Sequence, residues 1–236
     1  MVGVDSLSPV KAGCIADATR ALGISPRFWG RHFTNTDSRG TSEYQPHIEN
    51  EELHHNEIRV LPIARQPSRV GGNRSDGQKD GASNARDLVS AFGEDYLMSQ
   101  GGLVRLFLDV EGGAHSQLSK DYYQGWVESL AQAARDVTVM PCVSGIPEDA
   151  ETWDALSRAV SEGTECDGLR LSRPCSTHVE PVQWDHQVLA DFTGVTGVEV
   201  LLWQYNLGER FNRNLINPSL ADTTGFLDTL VLPPHD

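Results

Sequence analysis

Short apolar runs and amphipathic stretches alternate along this chain. Residues 2–5 read as a first strand, an apolar run too short for a helix. Ser8 and Pro9 open a helix that ends near Gly23, with Ile15, Ala18 and Leu22 at helical spacing. A second strand is expected at 27–31, and the polar stretch 32–50 reads as a loop. A short helix follows at 51–56, then a third strand at 58–63, with Pro62 belonging near its end. The Gly- and Ser-containing stretch 67–81 reads as a long loop, and 82–92 as a helix closed by Gly93. Residues 103–111 supply the fourth strand. The clearest helical pattern is 119–135, with Ser119 as N-cap and Tyr123, Trp126, Val127 and Leu130 on one face. Beyond it the pattern predicts a strand at 137–142, a helix at 148–163, and strands at 168–172, 181–184 and 198–205.

Repeated alternation of strand and helix implies parallel strands joined by helical crossovers. About eight such strands in 236 residues predict a single α/β domain over 1–236, a TIM-like (β/α) barrel with irregularities and some helices short or missing. An open doubly wound sheet is the alternative. No internal repeat is present, and no stretch reads as a linker that would divide the chain.

The fourth strand carries the most informative chemistry. Its apolar run ends in Asp109 and Glu111, two carboxylates two residues apart, followed at once by Gly112 and Gly113. Residues i and i+2 of a strand share a face, so the two acids project together from its C-terminal end. Cleavage of a glycosidic bond needs such a pair, one carboxyl protonated and one ionised. The same residues also read as a capping Asp and a solvated Glu. In α/β barrels the active site gathers where the strands end. The residues expected there are Asp5, Arg31, His32, Arg65, Gln66, Asp109, Glu111, Ser144, Arg173, Gln204, Tyr205 and Asn206. Acids, hydrogen-bonding groups and aromatics together suit a sugar, which offers hydroxyls to the former and a ring face to the latter.

Charge narrows the partners. A formal net charge of −14 opposes nonspecific binding to nucleic acid and to anionic membrane surfaces. No apolar run is long enough to span a bilayer. The N-terminus has neither a basic region nor an apolar signal core, so either no signal peptide is used or one has been removed; the compartment stays open. A neutral glycan meets no electrostatic objection, and a monomer is expected. The four cysteines form no Cys-x-x-Cys pair, which argues against zinc. Cys14 and Cys142 read as buried thiols, while Cys166 and Cys175 have the option of a disulfide in an exported protein. His54–His55 reads as a solvated pair and His115 as a loop histidine. No nucleophile elbow, phosphate loop or dinucleotide fingerprint occurs, so no metal and no cofactor are expected.

Three motifs in order carry a resemblance: Gly3-Val4-Asp5-Ser6, Leu108-Asp109-Val110-Glu111 and Trp203-Gln204-Tyr205. Together they resemble glycoside hydrolase family 25, lysozyme-type muramidases with an irregular β/α barrel. Closer still is a related bacterial glycoside-hydrolase-like family of unknown function. It shares the opening Gly-x-Asp, a strand like Phe28-Trp29-Gly30-Arg31, and the helix carrying Tyr122, Tyr123 and Trp126. The resemblance spans most of the chain. It implies Glu111 as general acid, Asp109 as the carboxylate that stabilises developing charge or orients an N-acetyl group, and Asp5 as the first-strand aspartate. It implies a glycan such as peptidoglycan as substrate, around which the strand-end residues Arg31, Arg65, Gln204 and Tyr205, with Asn212, are expected. Tyr205 is expected to stack on the sugar, and Trp203 to belong to the core. The muramidases have an Asp-x-Asn where this chain has Asn212-Arg213-Asn214, and an amide neither takes up a proton nor carries charge. Two functional classes therefore stand side by side, a glycosidase for N-acetylated glycan and a glycan-binding barrel with a decayed catalytic set. A different chemistry on the same fold is a third.

Overall fold

The computed structural model describes residues 1–34, 43–65, 70–110, 117–174, 183–184, 192 and 194–235. Eight strands close into one barrel in chain order. They are β1 (Val2–Asp5), β2 (Phe28–Thr34), β3 (Arg59–Arg65), β4 (Leu103–Asp109), β5 (Thr138–Gly145), β6 (Leu169–Ser172), β7 (Val200–Asn206) and β8 (Asn212–Ile216). The helices are α1 (Cys14–Leu22), α2 (Pro46–His55), α3 (Arg74–Phe92), α4 (Glu94–Ser99), α5 (Lys120–Ala133), α6 (Ala150–Ser161) and α7 (Thr223–Asp228). The fold class is thus the expected α/β barrel. Strands β1 to β7 pair in parallel, while β8 runs antiparallel to both β7 and β1. Only residues 207–211 separate β7 from β8. A parallel neighbour needs a crossover of roughly a dozen residues or more, so this short link allows only a hairpin.

Several sequence expectations change. The strand expected last, at 198–205, is β7, and the closing strand β8 went unread because Asn212-Arg213-Asn214 looks like a loop. Of the strand expected at 181–184, Gln183 and Trp184 lie outside any strand, and residues 181–182 fall outside the described residues. The long loop expected at 67–81 is half helix: α3 starts at Arg74, behind a capping box in which Asn73 and Asp76 satisfy each other's backbone N–H. Strand β2 runs on to Thr34, α2 begins at Pro46, and the short helices α4 and α7 were not foreseen. Ser119 does cap α5, accepting from the Tyr122 N–H at 3.1 Å.

Strand alternation separates two cores. Phe28, Leu61, Ile63, Phe107, Cys142, Leu202 and Ile216 form an inner cluster with Phe226, Leu227 and Leu230, so α7 and its exit plug the end of the barrel where the parallel strands begin. Gly3 makes room for this plug's neighbour: a Cβ there would sit 2.4 Å from the Phe28 ring. Outward-facing Val4, Trp29, Val60, Leu108, Val143, Leu171, Trp203 and Tyr205 pack with helix residues such as Leu22, Leu88, Tyr122, Trp126 and Leu156. No helix of the described residues is long and apolar enough to cross a membrane.

Helices α3 and α5 touch through glycine. A Cβ at Gly77 would lie 2.0 Å from the Tyr122 carbonyl, one at Gly81 2.3 Å from that of Trp126, and one at Gly125 2.1 Å from that of Arg74. This approach brings Tyr122 Oη within 2.9 Å of Asp80 and Trp126 Nε1 within 3.0 Å of Asn84. The glycines that hid α3 from a periodicity reading are therefore its contact surface. An exposed helical Gly→Ala change ordinarily stabilises by about 1 kcal/mol. Here overpacking dominates, and Gly77→Ala and Gly125→Ala should each lower unfolding free energy by about 2 kcal/mol in urea titrations. A neutral or stabilising result in both would show that the two helices do not need this spacing.

Candidate functional site

The inward set of side chains continues above the apolar plug toward the end where the parallel strands finish. From β1 comes Asp5, from β2 His32, from β3 Arg65 and from β4 Asp109. Strand β5 adds Ser144, β6 Arg170 and Ser172, β7 Gln204, and β8 Asn212 and Asn214. Asp5 lies at the centre and is 2% exposed. Its Oδ2 accepts from Arg170 Nη2 at 2.8 Å, Gln204 Nε2 at 2.9 Å and Asn214 Nδ2 at 2.7 Å. Its Oδ1 accepts from Asn212 Nδ2 at 2.9 Å. Arg170 spreads its other donors to Ser144 Oγ at 2.9 Å and Asn214 Oδ1 at 3.2 Å, and Ser172 Oγ donates to Gln204 Oε1 at 2.6 Å. Gly30 leaves space for the carboxylate, since a Cβ there would lie 2.6 Å from that of Asp5.

Burial by itself raises the Asp5 pKa, but the Arg170 charge and the amide donors outweigh it, so the pKa sits below the usual carboxylate value. A carboxylate has about four acceptor sites, and four donors occupy these. Asp5 is consequently an ionised anchor that orients Arg170, Gln204, Asn212 and Asn214 rather than a group poised to give up a proton.

The wall formed by β2, β3 and β4 is different. His32 is 6% exposed, and its Nδ1 is buried without a hydrogen-bond partner among the described residues. Burial pushes its imidazole down to about 4; Asp5 pulls the other way, and Arg31, Arg170 and Arg65 add to the fall. The ring is therefore neutral at pH 7. Arg65 and Asp109 are register partners on β3 and β4, both half-buried, and Asp109 is in turn the register partner of Ser144. Glu111, Gln66, His115 and Cys175 lie outside the described residues.

Two expected substrate contacts face elsewhere. Arg31 precedes the inward His32 and so points outward, fully buried. It grips Glu49 of α2 at 2.6 Å and 3.0 Å and donates to the carbonyls of Ser6 and Glu43. This ion pair fastens α2 to the barrel wall. Tyr205 follows the inward Gln204, is also fully buried, and packs 5.8 Å from Trp203 in the layer under the helices. Neither residue reaches the barrel mouth, because neighbours along a strand face opposite ways. Arg173, one past Ser172, pairs with Glu148 at 2.8 Å. The sequence reading missed Arg170, Ser172 and Asn214. Counting in twos from Asn212 would have found Asn214, and an Arg between two leucines was the signal for Arg170. Among the described residues no cluster of three or more metal-type side chains occurs. Cys166 carries a free thiol directed at the Gly168 carbonyl.

No family model and no curated protein match the sequence, but solved structures match the fold. An uncharacterised protein of B. stearothermophilus superposes with a TM-score of 0.69 at 19% identity, over 98% of this chain and 100% of that one. The Tat-secreted protein Rv2525c of Mycobacterium tuberculosis, in complex with L-tartrate, gives 0.53 at 10% identity over 92% and 96%. The spore cortex lytic enzyme SleM of Clostridium perfringens gives 0.53 at 14% identity, over 93% of this chain and 68% of SleM. The likeness is one of fold: this chain has the β/α barrel of these structures.

Removing the cation from the centre should expose its role. Arg170→Met leaves Asp5 buried without its charge partner, which should destabilise the fold by about 3–5 kcal/mol at pH 7. With Asp5 now harder to ionise in the folded state, the loss should shrink as pH falls toward about 4, and further below it as the wild type gives up the stability of its own ionised Asp5, measured by urea unfolding at several pH values. An unchanged stability at pH 7 would contradict the anchoring role. A second slope belongs to His32. Its folded pKa of about 4 lies below the ordinary 6.5, so the unfolded chain takes the proton first. Stability should be complete above about pH 6.5 and decline toward pH 4, and His32→Gln should flatten that decline.

Proposed function

We propose that this chain acts on an N-acetylated glycan such as peptidoglycan at the C-terminal mouth of its barrel, with Glu111 as general acid and Asp109 as charge stabiliser. One observation carries the reading: Asp109 ends β4 on the inward side, in register with Arg65 and Ser144, on a barrel like that of SleM. In the sequence Glu111 stands two residues beyond Asp109. Support for the substrate class comes from SleM, a spore cortex lytic enzyme with the same fold.

In this mechanism Glu111 protonates the glycosidic oxygen as the bond breaks. Asp109, in register with Arg65, acts as the carboxylate that stabilises the positive sugar or positions its acetamido group as an internal nucleophile. The amides of Gln204 and Asn212 are fixed on Asp5 through one N–H each and offer their remaining polar atoms to sugar hydroxyls.

The amide at 212 also supports a second reading, a glycan-binding barrel without turnover. Asn212 donates to Asp5 at 2.9 Å, where a second carboxylate would be forced to share a proton with the first. The site thus gains a stable hydrogen-bond array and loses an acid. Release of reducing ends from purified peptidoglycan, with wild type and Glu111→Gln between pH 4 and 8, separates the two. A glycosidase should show turnover that falls at least about 100-fold in the variant. Glycan binding by both forms with turnover in neither would establish the binding barrel and sink the catalytic assignment.

A further inference from the structure

The two walls of the barrel mouth are not equivalent. On the β1 and β5–β8 side, each side chain of the Asp5 network already has a partner within it. On the β2 side, His32 stands inward with Nδ1 buried and unpartnered among the described residues. An unsatisfied buried nitrogen costs about 1–3 kcal/mol, and an orphan of this kind in a native fold calls for a missing partner. We propose that His32 is a substrate-contacting residue of the glycan site, its ring hydrogen-bonding a sugar hydroxyl on the β2–β3 side of the mouth with Arg65 as the neighbouring donor. The inference rests on the glycan reading.

Chemistry selects a hydroxyl. A neutral imidazole carries one donor and one acceptor nitrogen, and a hydroxyl both donates and accepts. A net-charged ligand group is disfavoured here, because Arg65 and Asp109 sit in register and balance each other. Nδ1 is buried, so a small turn of the ring must accompany its contact with a ligand in the mouth. A phenylalanine at this position would keep the volume and lose the hydrogen bond, whereas a glutamine would keep both a donor and an acceptor.

The test uses N,N′,N″-triacetylchitotriose as probe, with the whole chain labelled with 15N-histidine. Addition of the trimer to wild type should move the His32 ring nitrogen signals. Calorimetry should show affinity weakened about 10-fold in His32→Phe, about 1.4 kcal/mol, and restored to within about 3-fold in His32→Gln. Trimer binding that leaves the His32 signals unmoved, with equal affinity in both variants, would overturn the inference and leave the glycan reading intact; the orphan nitrogen would then hold only a buried water. Absence of trimer binding by wild type would overturn the inference together with the reading on which it rests. The ring signals report on wild type, so the outcome does not depend on either variant folding.

Discussion

A carboxylate buried inside a barrel dictates much of this structure. Desolvating one ion costs several kcal/mol even after the protein relaxes, and a buried pair is tolerated only when the remaining lone pairs and protons are satisfied as well. Asp5 meets that condition with a guanidinium from β6 and amides from β7 and β8. The demand spreads outward from there. It explains why Gly30 has no side chain, why β8 presents two asparagines to the interior, and why Arg170 stands between two buried leucines.

The same interaction divides the barrel along its axis. Below Asp5 the interior is apolar and stoppered by α7, a region whose contribution is burial of surface. Above it the interior is polar, with Asp5 paired to Arg170 and Asp109 in register with Arg65. Rigidity in the upper part follows from the number of strands that one carboxylate ties together. A second buried pair, Arg31 with Glu49, does similar work outside the barrel and holds α2 against β2. Side chains that look alike in the sequence therefore have unlike duties: Arg31 is a brace, Arg170 a counter-ion, and Arg65 stands at the mouth.

Fold and chemistry separate in this protein. Likeness at 10% to 19% identity extends across the whole barrel, yet a barrel of this kind hosts many reactions, and the site decides among them. The Asn212 amide is consistent with an interior in which Asp5 is already ionised and fully bonded. Replacing an acid by an amide there lowers electrostatic strain while retaining a donor, a change that favours a stable array over a second proton-transfer group.

How much of this was legible beforehand depended on whether the signal was local. Alternating apolar runs revealed β1 to β6 and the strand before the last, since each buries a continuous apolar face, and Ser119 marked the start of α5 through its own side chain. Asp5, Gln204 and Asn212 were picked out in the sequence and are joined by hydrogen bonds in the structure. Helix α3 and strand β8 escaped because their decisive residues, Gly77, Gly81, Asn212 and Asn214, suit a partner distant in the chain and look like loop residues on their own. Arg31 and Tyr205 were misplaced because position at a strand end says nothing of facing, which the register of the closed barrel decides. The sequence by itself therefore determined the alternation of elements and the kinds of chemical group at the strand ends. Tertiary structure alone decided which of those groups face one another, because closing the barrel brings Asp5 and Arg170, 165 positions apart in the chain, within 2.8 Å.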